Sequence, residues 1–221
     1  MVDAIIISDL HLGSRICQAK HLLEFIETIT ASYLILNGDV FDSWDFRRIK
    51  KSEWKILSHL RKLSKRIKVI WINGNHDGPA EIISHLLGIE VREEYVLESG
   101  EKRILVLHGH QFDTFIANHP IITWIADTTY HFMQMIDPSF WMAKQAKKAS
   151  KSFLRNVQKV KSGAIEYAKK KKCDIICCGH THHPEIADRY YNSGSWAELP
   201  EHYLEVENGG VILKEFKTAI C

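Results

Sequence analysis

An α/β fold whose sheets are covered by helices is the architecture this 221-residue sequence predicts, and three observations carry it. Short apolar runs alternate with stretches of helical periodicity. Several of those runs are too uniformly apolar to own a wet face, as strands buried on both sides require. Each run also ends in polar residues beside glycine, as expected where strand ends meet at one edge of a sheet.

Taken in order, Ala4–Ser8, Tyr33–Leu36, Ile67–Ile72, Ile104–Leu107 and Asp174–Cys178 read as strands. Between them, residues 18–31, 50–65 and 79–87 carry leucine and isoleucine at helical spacing. Pro79 suits a first helical turn and Gly88 suits a helix end. Beyond Pro184 the pattern changes to short strands at 190–192, 203–206 and 211–216, with Asn208-Gly209-Gly210 turning a hairpin. Residues 113–172 carry no strand pattern and are expected to be a helical insertion standing over the sheet ends as a lid within one domain spanning 1–221. Its first part is aromatic and methionine-rich and its second is cationic.

Composition narrows the class. A 45% hydrophobic content is enough for a sizeable core and argues against disorder. The net charge of +2 hides eleven Lys or Arg against one acid, Glu166, between residues 144 and 172. That segment invites an anionic partner. Because aromatic residues are not interleaved with those lysines, single-stranded nucleic acid is not the expected one. The five cysteines form no disulfide-like framework, so a reducing, cytoplasmic setting is expected. The N-terminus has no secretory pattern and no 18-residue apolar run occurs, leaving surface attachment as the expected mode of any membrane contact.

The strand ends hold the chemistry. They run into Asp9-Leu10-His11, Gly38-Asp39 with Asp42, Asn73-Gly74-Asn75-His76-Asp77, His108-Gly109-His110, and Gly179-His180-Thr181-His182. Carboxylates, imidazoles and amides without a thiolate suit borderline divalent ions such as Mn, Fe, Co or Zn. Asp9 and His11, two apart on an extended end, are expected to point the same way, as are His180 and His182. The ligands are too many for one ion and fit two, with Asp39 able to bridge.

These motifs, D-x-H, G-D-x-x-D, G-N-H-D, H-G-H and G-H-x-H in this order, resemble the calcineurin-like metallophosphoesterases. The resemblance implies a four-layer α/β/β/α sandwich and a pair of divalent ions, manganese first among them. It implies that Asp9, His11, Asp39 and His182 hold one ion, and that Asp39, Asn75, His108 and His180 hold the other. His76 would stabilise the transition state or protonate the leaving group, and Asp77 would orient His76. Paired ions acidify a water and polarise a phosphoryl oxygen, so no protein nucleophile is required.

The stretches ISDLHLGSR, GDVFDSWDFRR and GHTHHPEI followed by NSGSW are similar to the UDP-2,3-diacylglucosamine pyrophosphohydrolases of lipid A synthesis and their close relatives. That implies cleavage of a nucleotide-linked glycolipid to UMP and a diacylated glucosamine 1-phosphate, with a helical lid between the fourth and fifth motifs. Ser152, Asn156 and Lys159 share one helical face and resemble substrate contacts of that lid. Arg15, with Arg47 and Arg48, stands beside the metal loops as a phosphate or nucleotide contact, and Asn75 and His76 would also touch substrate. The aromatic part of the lid would take acyl chains, and its lysines a pyrophosphate or the anionic inner face of the cell membrane. His76 and His110 replace the arginine and aspartate usual in that group, which points to a sibling branch acting on another nucleotide, phospholipid or phosphodiester.

Overall fold

The computed structural model describes residues 2–113 and 150–217. The aromatic part of the expected lid, and the lysines up to residue 149, lie outside the described residues. A six-stranded sheet has the order β11-β10-β1-β2-β3-β4, built from β1 (Val2–Ile7), β2 (Ala31–Asn37), β3 (Lys68–Ile72), β4 (Glu90–Arg92), β10 (His202–Glu207) and β11 (Gly210–Glu215). A five-stranded sheet has the order β5-β6-β7-β9-β8, from β5 (Glu94–Ser99), β6 (Lys102–Leu107), β7 (Ile175–Cys178), β8 (Glu185–Ala187) and β9 (Tyr190–Asn192).

Period-two alternation divides the side chains among the layers. Ile5 and Ile7 of β1, Leu34 and Leu36 of β2, and Val69 and Trp71 of β3 pack beneath α1 (Ala19–Thr28) and α2 (Lys51–Leu63). Their neighbours Ala4, Ile6, Ile35, Ile70 and Ile72 turn the other way and meet Ile104, Val106 and Cys177 between the sheets. On the far side Leu105, Leu107, Ile176 and Cys178 lie under α4 (Lys151–Lys170), where Ala164 and Ala168 allow close approach. The result is the expected α/β/β/α sandwich. Buried strands explain why the runs looked apolar throughout, and why Cys177 and Cys178 are fully buried core residues.

Helix ends follow local chemistry. Glu53 accepts from Lys50 N at 2.8 Å to cap α2, and Ser150 accepts from Phe153 N at 3.2 Å to cap α4. The short α3 (Ala80–Leu87) starts after Pro79 and stops at Gly88, whose φ is +63°. Three strands escaped the sequence reading. β4 has exposed charges at two of its three positions, β5 is buried or half-buried at all but one position and carries two glutamates, and β8 has three residues. The cationic helix α4 lies along the second sheet, burying Val157, Val160, Ala164 and Ala168. Among the described residues no helix is long and apolar enough to cross a membrane.

Parallel pairing sets the site. β1, β2 and β3 run parallel in one sheet, as do β6 and β7 in the other. Their carboxyl ends therefore open together, bringing five loops to one edge.

Candidate metal centre

The first two loops stay paired after the strands stop. Asp9 N and His11 N donate to Gly38 O and Asp39 O, both at 3.0 Å, so Asp9 and Asp39 lie side by side. Asp9, His11, Asp39, His180 and His182 all have left-handed backbones, with φ between 47° and 65°. This corrects the expected extended ends. β1 stops at Ile7, and each ligand is aimed by a backbone conformation that non-glycine residues adopt at a cost of about 1 kcal/mol or more. The third loop is pressed against the second. A Cβ on Gly74 would stand 2.2 Å from Asp39 N, so only glycine fits.

Two clusters result: Asp9 with His11 and His182, and Asp39 with His108 and His180. Within each, the ligating atoms lie within 4.8 Å of one another. Asp9 Oδ1 is 3.1 Å from His182 Nε2, which is itself 3.2 Å from His11 Nε2. Asp39 Oδ2 is 3.2 Å from His108 Nε2. Each cluster draws ligands from both sheets.

The far ring nitrogens show what the near ones are for. His182 Nδ1 is 2.8 Å from Glu198 Oε1, His108 Nδ1 is 2.8 Å from Asn37 O, and His180 Nε2 is 3.0 Å from Asp113 Oδ2. His11 Nδ1 faces Asp42 Oδ1 at 3.6 Å. An imidazole that donates to such an acceptor presents a lone pair on its other nitrogen. In His108 and His182 that lone pair faces a carboxylate oxygen, an arrangement that needs a cation between them. Asp9 Oδ1 and His108 Nε2 are buried without a well-formed hydrogen bond despite those close approaches. The donor set thus fits divalent ions.

In the metal-free protein a proton supplies the missing positive charge. Burial opposes charge on His108, but the Asp39 carboxylate overcomes it and raises its pKa to about 10. Burial likewise opposes charge on His182, yet Asp9 raises it to about 9. Asp39 is held well below the usual carboxylate range, against its burial, chiefly by His108. His110 moves the other way, to about 4, through burial and the neighbouring His108 and His180 charges.

The remaining expected residues divide. His76 is half-exposed beside Asp39, with its N–H donating to Asp39 Oδ1 at 2.9 Å and its Nδ1 3.1 Å from Asp42 O. The structure turns Asp77 away from the expected role of orienting His76. Asp77 accepts from Phe41 N and Gly74 N, each at 2.9 Å, and from Trp71 Nε1 at 3.2 Å, so it fastens the third loop to the second. Burial and the Asp39 charge raise its pKa to about 6. Asn75 is exposed on that loop, and Arg15 on the first. Asn156 donates to Asp113 at 2.6 Å, placing it behind His180, while Ser152 and Lys159 are exposed on α4. Arg48 pairs with Asp42 and Arg47 with Asp45. His183 lies outside both clusters, its ring 6.3 Å from that of Phe153.

Asp113 and Glu198 were missed by sequence reasoning. One closes a His-Gly-His-Gln-Phe-Asp run and the other follows Asn-Ser-Gly-Ser-Trp-Ala; neither adjoins the histidine it anchors.

A family model described as calcineurin-like phosphoesterase matches residues 4–184. A curated relative from Bordetella parapertussis, named UDP-2,3-diacylglucosamine hydrolase, is 30% identical over 199 residues, covering 80% of this chain and 76% of its own length. A protein of the same name from Bordetella pertussis is 29% identical over 198 residues, with the same coverage. Among solved structures, the E. coli phosphoesterase Yfce aligns with a TM-score of 0.51 at 19% identity, covering 93% of this chain and 88% of that one. Vacuolar protein sorting 29 from Cryptosporidium parvum aligns at 0.50 and 16% identity, covering 98% and 99%. These two show the shared fold. The paired clusters at the open strand ends, with the family match spanning all five motifs, make this chain a member of the calcineurin-like phosphoesterases, a phosphoester hydrolase that binds divalent metal.

Proposed function

We propose that the chain hydrolyses the pyrophosphate of UDP-2,3-diacylglucosamine, giving UMP and 2,3-diacylglucosamine 1-phosphate, with two divalent ions, manganese first among them. The observation that carries the reading is the pair of clusters sharing one edge, to which the names of the curated relatives add the substrate. Asp9, His11, Asp39 and His182 would hold one ion, and Asp39, Asn75, His108 and His180 the other. Bound ions supply an acidified water and neutralise charge on the phosphoryl oxygens. The water oxygen forms the new bond to phosphorus as the bridging P–O bond breaks. His76 gives its proton to the leaving oxygen or stabilises the charge gathering there.

Arg15, Ser152, Asn156 and Lys159 are proposed substrate contacts; of the expected lid, 151–170 packs on the second sheet as α4, and residues 114–149 lie outside the described residues. Lys151, Arg155 and Lys159 lie exposed on α4 together with Leu154, a face suited to the anionic inner surface of the cell membrane of a cytoplasmic protein. The test is UMP release from UDP-2,3-diacylglucosamine by metal-free protein reconstituted with Mn²⁺. Turnover confined to generic aryl phosphodiesters would reject the substrate, and failure on every phosphoester would reject the reading. One observation favours a second reading. His110 Nδ1 is buried without a hydrogen bond in the position where the lipid A group has aspartate. A sibling branch acting on another nucleotide, phospholipid or nucleic-acid diester would release no UMP in that assay.

A further inference from the structure

The segment Asn192-Ser193-Gly194-Ser195-Trp196 contributes no residue to either cluster, yet all five of its residues are buried beneath two cluster-bearing loops from different sheets. Asn192, at 0% exposure, donates through Nδ2 to Gly179 O at 2.8 Å and Thr181 Oγ1 at 3.2 Å, both in the loop carrying His180 and His182. Its Oδ1 accepts from Gly194 N at 2.9 Å, which folds the segment back on itself. Ser193, also at 0%, donates its N–H to Cys178 O at 3.0 Å and places its hydroxyl 2.7 Å from Ser8 Oγ. It therefore touches the last residue of β7 in one sheet and the residue before Asp9 in the other. Ser195 Oγ donates to Asp9 O at 3.1 Å, and Trp196 N to the same oxygen at 3.2 Å.

The two loops so joined lie in direct contact. His180 N donates to Asp9 Oδ2 at 3.1 Å, and a Cβ on Gly179 would stand 2.6 Å from Ser8 Oγ. Among the described residues no strand ladder links the two sheets here, and the segment bonds to both.

We propose that residues 192–196 are a positioning strap that fixes the Asp9 loop against the His180–His182 loop, so that Ser193 and its neighbours set the relation between the two ion sites. The idea rests on reading the clusters as a pair of ion sites, and its test does not depend on any substrate. A hydroxyl that merely fills space would leave ion binding untouched when removed. A hydroxyl that holds two loops in register would loosen both ions without dissolving the sheets, because buried groups that position ligands typically change metal affinity 10–100-fold.

The experiment is Mn²⁺ titration of the metal-free full chain by calorimetry, with the paramagnetic resonance spectrum of the bound ions recorded alongside, for the parent, Ser193→Ala and Ser195→Ala. Both alanine variants are expected to bind Mn²⁺ about 10–100-fold more weakly and to lose or alter the spin-coupled signal of an adjacent pair. Parental affinities with an unchanged coupled spectrum overturn the proposal, including when the variants melt at lower temperature, since that marks a purely structural hydroxyl. Ser195→Ala, which removes the bond to Asp9 O and the acceptor for Ala197 N but leaves the Ser193 contacts with Ser8 and Cys178 in place, decides the matter if Ser193→Ala does not fold. A parent that binds no Mn²⁺ pair sinks the reading of the clusters instead.

Discussion

Loading the clusters should expel protons, and the amount follows from the imidazoles that hold them. In the metal-free chain His108 has a pKa near 10 and His182 near 9, each because a carboxylate faces it. At pH 7 both carry the proton that an ion must displace. Stripping the proton from His108 across three pH units costs about 4 kcal/mol, and from His182 across two units about 3 kcal/mol. Apparent Mn²⁺ affinity at each cluster should therefore rise about tenfold per pH unit from pH 7, levelling near pH 10 and near pH 9. Calorimetry at pH 7.5, in buffers of differing ionisation enthalpy, should count about two protons released as both sites fill. Release of well under one proton, or affinity that is flat from pH 7 to pH 9, would refute the assignment of these nitrogens as ligands. Stability follows with the opposite sign. A histidine raised above its ordinary 6.5 contributes stability that is complete below that pH and is lost as pH climbs through 9 and 10. The metal-free protein should then melt progressively lower from pH 7 to pH 10, and the manganese-loaded protein should not.

Further outcomes concern single residues. Glu198→Gln keeps the acceptor for His182 Nδ1 but removes the charge, and should weaken Mn²⁺ binding about 10–100-fold by calorimetry; parental affinity would count against the anchor. His76→Gln should lower kcat by about 10²–10⁴ on substrates with poor leaving groups while both ions still bind; equal loss on good leaving groups would deny it the proton transfer. Asp77→Asn should destabilise the fold by roughly 2–3 kcal/mol in urea unfolding, because three donors lose a charged acceptor. Gly74→Ala should do comparable or greater harm, driving a methyl into Asp39 backbone and carboxylate. A midpoint like that of the parent would mean the loop yields more easily than its contacts suggest.

Much of this was legible in the residues. Five polar groups after five apolar runs announced both the sheet edge and its cargo, because burial on both faces leaves an unmistakable apolar run and ligands must follow it. Distance hid the rest. Asp113 lies 67 positions from His180, and Glu198 lies 16 from His182; nothing local in the sequence marks either pairing. The orientation of Asp77 was missed for a related reason. Adjacency to His76 suggested a partner, whereas three N–H donors from other parts of the chain claim its carboxylate. Lysines dominated the reading of residues 151–170, although a stripe of valine and alanine at 157, 160, 164 and 168 decides which side of that helix meets the sheet.

The left-handed backbones of Asp9, His11, Asp39, His180 and His182 carry a consequence for inheritance. At each position glycine would relax the backbone, and what opposes it is the ligand side chain, which at Asp9 and Asp39 also accepts loop N–H groups. A descendant released from the need to hydrolyse phosphate could drift toward glycine there and grow sturdier as it fell silent.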